Sequence, residues 1–431
     1  LGYTPCWYLQ NLKVSGKHLM DIPRLARKIT LTLFTAMSLG SAGFIVAATV
    51  NTIVGADISG NLAWAGLPAA FFTLGTAVSA FLLGFAMDRF GRRMGMVIGL
   101  VSGLFGTILA GVAIGVVSFP IFLAGMAFSG AARAALQLGR FAAAEVHPPE
   151  QQGRAISNVV IGGTVGAVLG PWLAGPMGQW AIGAGYSEML GPYVASFVLI
   201  ALATLLVFIF LRPDPQKLGK EVSRLHPESW SNRGQVRTFS QIIRIPAAAV
   251  AVAAMVLSQA VMVMLMGITA LYMKQNNHEL FGISMIISSH TFGMYAFSIF
   301  SGQLSDRWGR GPVILIGAVG LIFACLLAPV SPNLAPLAIS LFLLGLGWNF
   351  CYVGGSSLLS DQLSPLERSR TQGINDLYIG LATGLGSFVS GLIFAAWGYG
   401  VVGLVGAALA LIPFGMTLWW QVGQRRLATS T

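Results

Sequence analysis

The sequence predicts an all-α membrane protein of twelve transmembrane helices, arranged as two pseudo-symmetric six-helix bundles. Of its 431 residues, 55% are hydrophobic and 9% charged, which leaves too little polar surface to clothe a soluble globule. Apolar runs of about 20 residues, the length a helix needs to cross the hydrocarbon, recur along the whole chain. A charged turn that closes the second run returns at the end of the eighth, 218 positions later.

Residues 1–27 contain Tyr3, Trp7, Tyr8, Lys13 and Lys17 but no apolar stretch followed by a cleavage site. They are expected to form an interfacial N-terminal arm, not a signal peptide. The chain opens on Leu1, so the natural start is expected upstream. A first bundle, 28–211, holds runs near 29–53, 62–87, 94–115, 119–143, 155–176 and 191–211. A polar linker, 212–245, follows. The second bundle, 246–420, holds runs near 246–273, 280–303, 312–329, 334–359, 371–396 and 401–420, and 421–431 forms a tail. Each run is read as a helix because a helix satisfies its own backbone hydrogen bonds in lipid.

The net charge of +11 is distributed as an orientation signal. Arg24, Arg27 and Lys28 precede the first run, Arg89, Arg92 and Arg93 follow the second, and Arg154, Arg307, Arg310, Arg368, Arg370, Arg425 and Arg426 fall on the same side. The linker adds Arg212, Lys217, Lys220, Arg224, Arg233, Arg237 and Arg244, whereas Lys274 falls on the opposite side. By the positive-inside rule both termini are expected in the cytoplasm, with the chain in the inner membrane of a bacterium. The lipid bilayer is the expected partner of these charges, and nucleic acid is not. Cys6, Cys325 and Cys351 show no paired spacing. The five histidines offer no catalytic partner and the glycine pairs lie in apolar runs, so neither an enzyme nor a phosphate loop is expected.

The repeat is Gly84-x-x-x-Asp88-Arg89-x-Gly91-Arg92-Arg93 against Gly302-x-x-x-Asp306-Arg307-x-Gly309-Arg310. A second echo pairs Pro149 and Arg154 with Pro365 and Arg370, which argues for duplication of a six-helix unit. Asp88 and Asp306 are expected at a neighbouring helix N-terminus, where the macrodipole favours an anion. Arg92 and Arg310 are expected to latch onto acidic groups, with Glu145, Asp361 and Glu367 as candidates. Gly311 replaces Arg93 in the second copy, which should weaken that latch. On these loops the whole chain resembles a transporter of the major facilitator superfamily. That resemblance implies alternating access, with the halves rocking about a site near the midplane and the latches opening and closing.

Gly166-x-x-x-Gly170-Pro171-x-x-Ala174-Gly175 in the fifth run resembles the glycine-proline signature of drug/proton antiporters in that superfamily. Close packing of small residues around a kink also explains it. Arg133, Gln137 and Arg140 in the fourth run could bind an organic anion, or could approach the interface and pair with Glu145. Asn349 and Tyr352 in the tenth run, and Asn375 and Asp376 opening the eleventh, could line the path or bond between helices.

Met262-x-x-x-Met266 and His290-x-x-x-Met294 place three thioethers and an imidazole at i, i+4 spacing in two consecutive runs. Neutral, polarizable sulfur suits Cu(I) and offers little to hard cations. A histidine within a membrane span also reads as functional. At 1.5 Å per residue Met262 and His290 lie roughly 16 and 15 Å from the outer turn, nearly level. Met273 and His278 at the outer mouth could capture metal, though a loop histidine can simply be solvated. The pairing resembles the CcoA-like copper importers, which implies Met262, Met266, His290 and Met294 as ligands and copper as imported substrate. No permanently bound cofactor is expected. Two alternatives stay open: an efflux antiporter for an organic compound, favoured by an aromatic-lined central pocket, and a nontransporting facilitator-like subunit of a membrane complex. A monomer is expected in the transporter readings.

Overall fold

The structure, a computed structural model, describes residues 16–225 and 237–429. Tyr3, Cys6, Trp7, Tyr8 and Lys13 of the expected arm, and Arg233 of the linker, lie outside the described residues.

Among the described residues, eleven helical segments are long and apolar enough to cross a membrane. The last is double. Helix 365–429 is broken at Gly398, whose φ of 78° and ψ of −178° suit a residue without Cβ. It therefore forms α11 (365–397) and α12 (399–429), and the chain makes twelve crossings. In order the others are α1 (Gly16–Ala48, continued by Asn51–Ser59), α2 (Leu67–Phe90), α3 (Arg92–Val116), α4 (Phe119–Glu145) and α5 (Pro149–Leu169 and Ala174–Gly183). They continue as α6 (Leu190–Phe210), α7 (Pro246–Gln275), α8 (Leu280–Tyr295 and Ser298–Trp308), α9 (Arg310–Leu327) and α10 (Leu334–Asp361). The all-α fold of a multi-pass membrane protein is as the composition predicts.

Two boundaries differ from expectation. Helix α1 already runs from Gly16, because residues 16–27 carry only one breaker, Pro23, and so extend the helix into the expected arm. Part of the linker is ordered as helices Pro215–Leu225 and Phe239–Ile243; the second starts on a capping box between Thr238 and Gln241.

The two halves repeat each other's packing. Helix α2 packs on α4 as α8 packs on α10, and α3 packs on α4 as α9 packs on α10. Gly91 and Gly309, which precede α3 and α9, share one left-handed conformation, φ 91° and ψ 161° against φ 90° and ψ 162°. In neither half are the first two helices close partners, so α7 and α8, consecutive in sequence, meet only lightly.

Glycine contacts show where the halves touch. At the end bearing Lys274, a Cβ on Gly66, which caps the start of α2, would strike the Ser387 carbonyl of α11, and one on Gly391 would lie 2.9 Å from Ala63 O. There too, Gly175 and Gly178 of α5 meet Phe281 and Leu280 of α8. Toward the basic end, Gly84 of α2, Gly153 of α5, Gly302 of α8 and Gly373 of α11 face open space. The halves touch at the Lys274 end, while these four glycines toward the basic end have no neighbour within 4 Å.

Candidate functional site

Arg133 lies midway along α4, about 21 Å from Phe119 and about 18 Å from Glu145 at 1.5 Å per residue. It remains accessible, and its guanidinium sits over the Phe72 ring of α2 at 5.7 Å. No carboxylate is within ion-pair reach of it among the described residues. Across the gap the phenol of Tyr295 in α8 is near enough to interact with its charge. Gln137, one turn further on the same face, is half-buried.

The second half presents an aromatic wall at this level. The Trp348 and Tyr352 rings of α10 stack at 4.8 Å, and Tyr295 meets Trp348 edge-on at 6.2 Å. Trp348 Nε1–H donates to Gln259 Oε1 of α7 at 2.9 Å, and Gln259 Nε2–H donates to Thr383 of α11 at 3.1 Å. This chain fixes the indole plane and satisfies both groups in a region poor in water. Tyr295, Trp348, Gln259 and Thr383 all fall about 21–24 Å from the Lys274 end of their helices, level with Arg133. Nothing in the sequence reading singles out Tyr295, Trp348 or Gln259. A glutamine inside apolar α7 was the available signal.

Below this ring Arg140 Nη2 of α4 bonds Asp376 Oδ2 of α11 at 3.1 Å, joining the two halves toward the basic end. Tyr352 lies close enough to feel both charges. Near the Lys274 end the corresponding cross-half pair is Lys274–Glu188 at 3.3 Å.

The repeated basic turns act within each half. Arg92 bonds Glu145 at 2.6 Å and Asp88 at 2.8 Å; Arg310 bonds Asp361 and Asp306, each at 2.9 Å. The partners of each arginine belong to its own half, so these pairs tie α3 to α4 and α9 to α10 and do not bridge the halves. Asp88 and Asp306 are largely exposed. The carboxylate at the α3 N-terminus is instead Asp214, which accepts from the Arg92 and Arg93 backbone N–H at 3.2 and 3.0 Å. A residue beyond α6 reaches this position because α6 packs beside α3. Arg89 lies exposed over the Phe90 ring, and Arg307 is exposed with no ion pair among the described residues. Glu367 pairs with Arg237 at 2.8 Å, not with Arg310. The Arg237 guanidinium holds the Glu367 carboxyl well below its ordinary range.

Of the expected Met and His donors, His290 is engaged on its Nδ1 side by α10. Close approach of α8 to α10 at Gly345, where a Cβ would strike the His290 carbonyl, turns the His290 face toward α10. There His290 Nδ1–H donates to Leu341 O at 2.9 Å, while Nε2 is buried without a partner. Met262 and Met294 are buried in one large apolar cluster, and Met266 packs partly buried against it. Asn349 braces the break in α8, donating to Met294 O at 2.6 Å and Ser298 Oγ at 2.9 Å. At the outer mouth Met273 is fully buried, and His278 Nε2 is bonded to Pro332 O at 2.7 Å.

The Major Facilitator Superfamily model matches residues 29–280 and 251–429. The chain is 33% identical to the uncharacterized MFS-type transporter YdeG of Bacillus subtilis over 88% of this chain and 89% of that protein. It is 29% identical to the riboflavin transporter RfnT of Brucella anthropi over 90% of this chain and 95% of that protein. The solved D-xylose-proton symporter shares its fold at a TM-score of 0.69 and 16% identity, over 90% of this chain and 97% of that one. Copper appears in none of these three names. With a duplicated six-helix fold, an accessible mid-membrane site and these matches, the chain belongs to the major facilitator superfamily and is a secondary transporter, not an enzyme.

Proposed function

We propose that the cargo is a planar heteroaromatic compound bearing carbonyl or anionic acceptors, of the flavin kind, bound between Arg133 and the Tyr295–Trp348–Tyr352 wall. One observation carries this reading: Arg133 is an accessible guanidinium at mid-membrane with no carboxylate to neutralise it among the described residues. A charge so placed is costly, and a ligand acceptor would offset the cost when bound. Stacked aromatics opposite supply a flat apolar surface for a ring system. The likeness to a riboflavin transporter over nearly the full length supports the choice of a flavin as first probe. The glycine-proline segment of α5 is explained by packing, since Gly166 and Gly170 meet Ser38 and Ala42 of α1. It gives no separate support for drug efflux.

We further propose residence in the cytoplasmic membrane of a bacterium with both termini inside, on the distribution of Lys and Arg. In that orientation the end where glycines of the two halves meet faces outward. The test is radiolabelled riboflavin accumulation in riboflavin-requiring cells that lack their own transporter. Accumulation above the empty-vector level assigns import, and accumulation below it assigns export. Arg133→Gln and Trp348→Ala should each abolish the difference, with apparent affinity weakened about 10- to 100-fold for loss of the charge-assisted bond. Native chain and variants all matching the empty vector would overturn the flavin reading.

Copper import is a second reading, supported by the buried Nε2 of His290, without a partner among the described residues, on the same helix as Met294. It predicts radioactive copper uptake that His290→Ala and Met262→Leu remove and Arg133→Gln leaves intact.

A further inference from the structure

A pocket of about 530 Å³ opens at the basic end of α3 and α6, outside the transport path. Three cations line it, Arg93, Arg212 and Lys217, with Phe90 and Met94 as its apolar wall. None of the three forms an ion pair among the described residues. The nearest carboxylate, Asp214, spends its oxygens on the backbone N–H groups of Arg92, Arg93 and Gln216. Arg93 is held in place. Its guanidinium lies over the Phe208 ring at 4.9 Å and donates from Nε and Nη2 to Phe208 O at 3.1 and 2.5 Å, while the residue lines the pocket.

Two stripes of exposed apolar side chains run from this pocket along the membrane-spanning surface. On α3 they are Ile98, Val101 and Phe105, each 44–50% exposed; on α6, Leu202, Leu205 and Ile209, each 47–55% exposed. Cations at headgroup depth joined to an apolar track fit an amphiphile with a phosphate head and acyl tails, where a free phosphate would use only the head. The duplicated fold does not require the arrangement: in the second half Gly311 stands in place of Arg93, and Gln421 fills the space beside it.

We propose that this pocket is a binding site for an anionic phospholipid, with the phosphate held by Arg93, Arg212 and Lys217 and the acyl chains lying along α3 and α6. Arg93 is preorganised, so it binds without first losing side-chain freedom. Positive charge near the membrane surface attracts anionic lipid at about a factor of five per residue.

The test is native mass spectrometry of the full chain released from detergent, titrated with phosphatidylglycerol, phosphatidylcholine or inorganic phosphate. The Arg212→Gln/Lys217→Gln variant is compared with Lys220→Gln/Arg224→Gln, which removes equal charge from the same linker outside the pocket. The expected result is one retained phosphatidylglycerol, bound about 30-fold more weakly by the pocket variant and unchanged in the control. Equal losses in both variants, or equal retention of phosphatidylcholine, would reduce the lipid to exchangeable annulus and overturn the proposal. Competition by millimolar phosphate alone would replace the lipid with a free anion. Variants that still give a folded, monodisperse chain keep the comparison valid, and both substitutions lie on exposed side chains.

Discussion

Gly66→Ala should open the Lys274 end. A Cβ there would lie 2.6 Å from the Ser387 carbonyl carbon and 3.1 Å from Phe388 Cα, and nearer still to the Ser387 carbonyl oxygen. All of these are backbone atoms of α11, which cannot rotate out of the way as a side chain tip would. Ordinary contact needs about 3.5 Å, so α2 and α11 must part by about 1 Å or more. The hydrogen bond from Ser387 Oγ to Gly66 O at 3.1 Å is then stretched as well. Overpacking of this kind costs about 1–3 kcal/mol. Because the cost falls on the state closed at this end, it shifts the population toward the opposite state by about 5- to 150-fold. Pulsed EPR between spin labels at Tyr186 and Gln275, exposed on opposite halves at that end, reads the shift in a chain whose Cys6 is replaced. Cys325 and Cys351 are buried and do not compete for label. The longer distance should gain population in Gly66→Ala and not in Gly84→Ala, where nothing lies within 4 Å. An unchanged distribution in Gly66→Ala, or the same change in both variants, would refute the inference that glycine contacts report the closed end.

Three further outcomes are expected. Asp376→Asn removes the Arg140 pair, about one third exposed on each side and so worth about 0.5–1 kcal/mol; the basic end should open further, seen as faster thiol labelling of a cysteine placed at Gly373. Glu367 should confer an acid-sensitive stability. Its native carboxyl ionises below the ordinary 4.5 because Arg237 donates to it, so the unfolded chain takes up the proton first as pH falls. The contribution is complete above about pH 5.5 and fades below about pH 4.5, and Glu367→Gln should flatten thermal-unfolding midpoints over that lower range. His290→Ala should cost about 2–4 kcal/mol of stability through a cavity between α8 and α10 and a lost bond to Leu341 O, measured by thermal unfolding in detergent without any metal.

The spans were legible because a membrane helix must be apolar over a fixed length, and the repeat was legible because Gly91 and Gly309 mark turns that need a left-handed residue. What sits beside what was not. The sequence placed Met262 and His290 at equal depth on consecutive helices, but depth along an axis says nothing of rotation about it or of which neighbour a helix takes. Gly345 decides that for α8, and its effect is visible only once α10 lies against it. The basic turns were more legible: Arg92 meets Glu145 and Arg310 meets Asp361 among the candidates the charges offered, whereas Glu367 is taken by Arg237. Arg133 could be recognised as an unusual residue for a span. That it is unpaired is visible only once the helices are placed: Glu145 lies about 18 Å further along α4 and is bound by Arg92, and Asp376 is bound by Arg140.

This allocation of charges has a consequence for transport. Arg133 belongs to the first half and the Tyr295–Trp348–Tyr352 wall to the second, so a cargo held by both is a bridge between bodies that move. A ligand shifts an equilibrium only by its differential affinity for the two states. If the bound molecule touched one half alone, rocking would neither gain nor lose its contacts, and binding would leave the populations unchanged. Bridging contacts let the cargo draw the halves together around it. Arg140 and Asp376 then oppose or assist that closure from one side, and Lys274 and Glu188 from the other. The same logic predicts that cargo should narrow the distance between labels on α4 and α10 near the basic end in the native chain. In Arg133→Gln, which keeps the aromatic wall, cargo should leave that distance unchanged, and narrowing of equal size in both would show that the bridge does not run through Arg133.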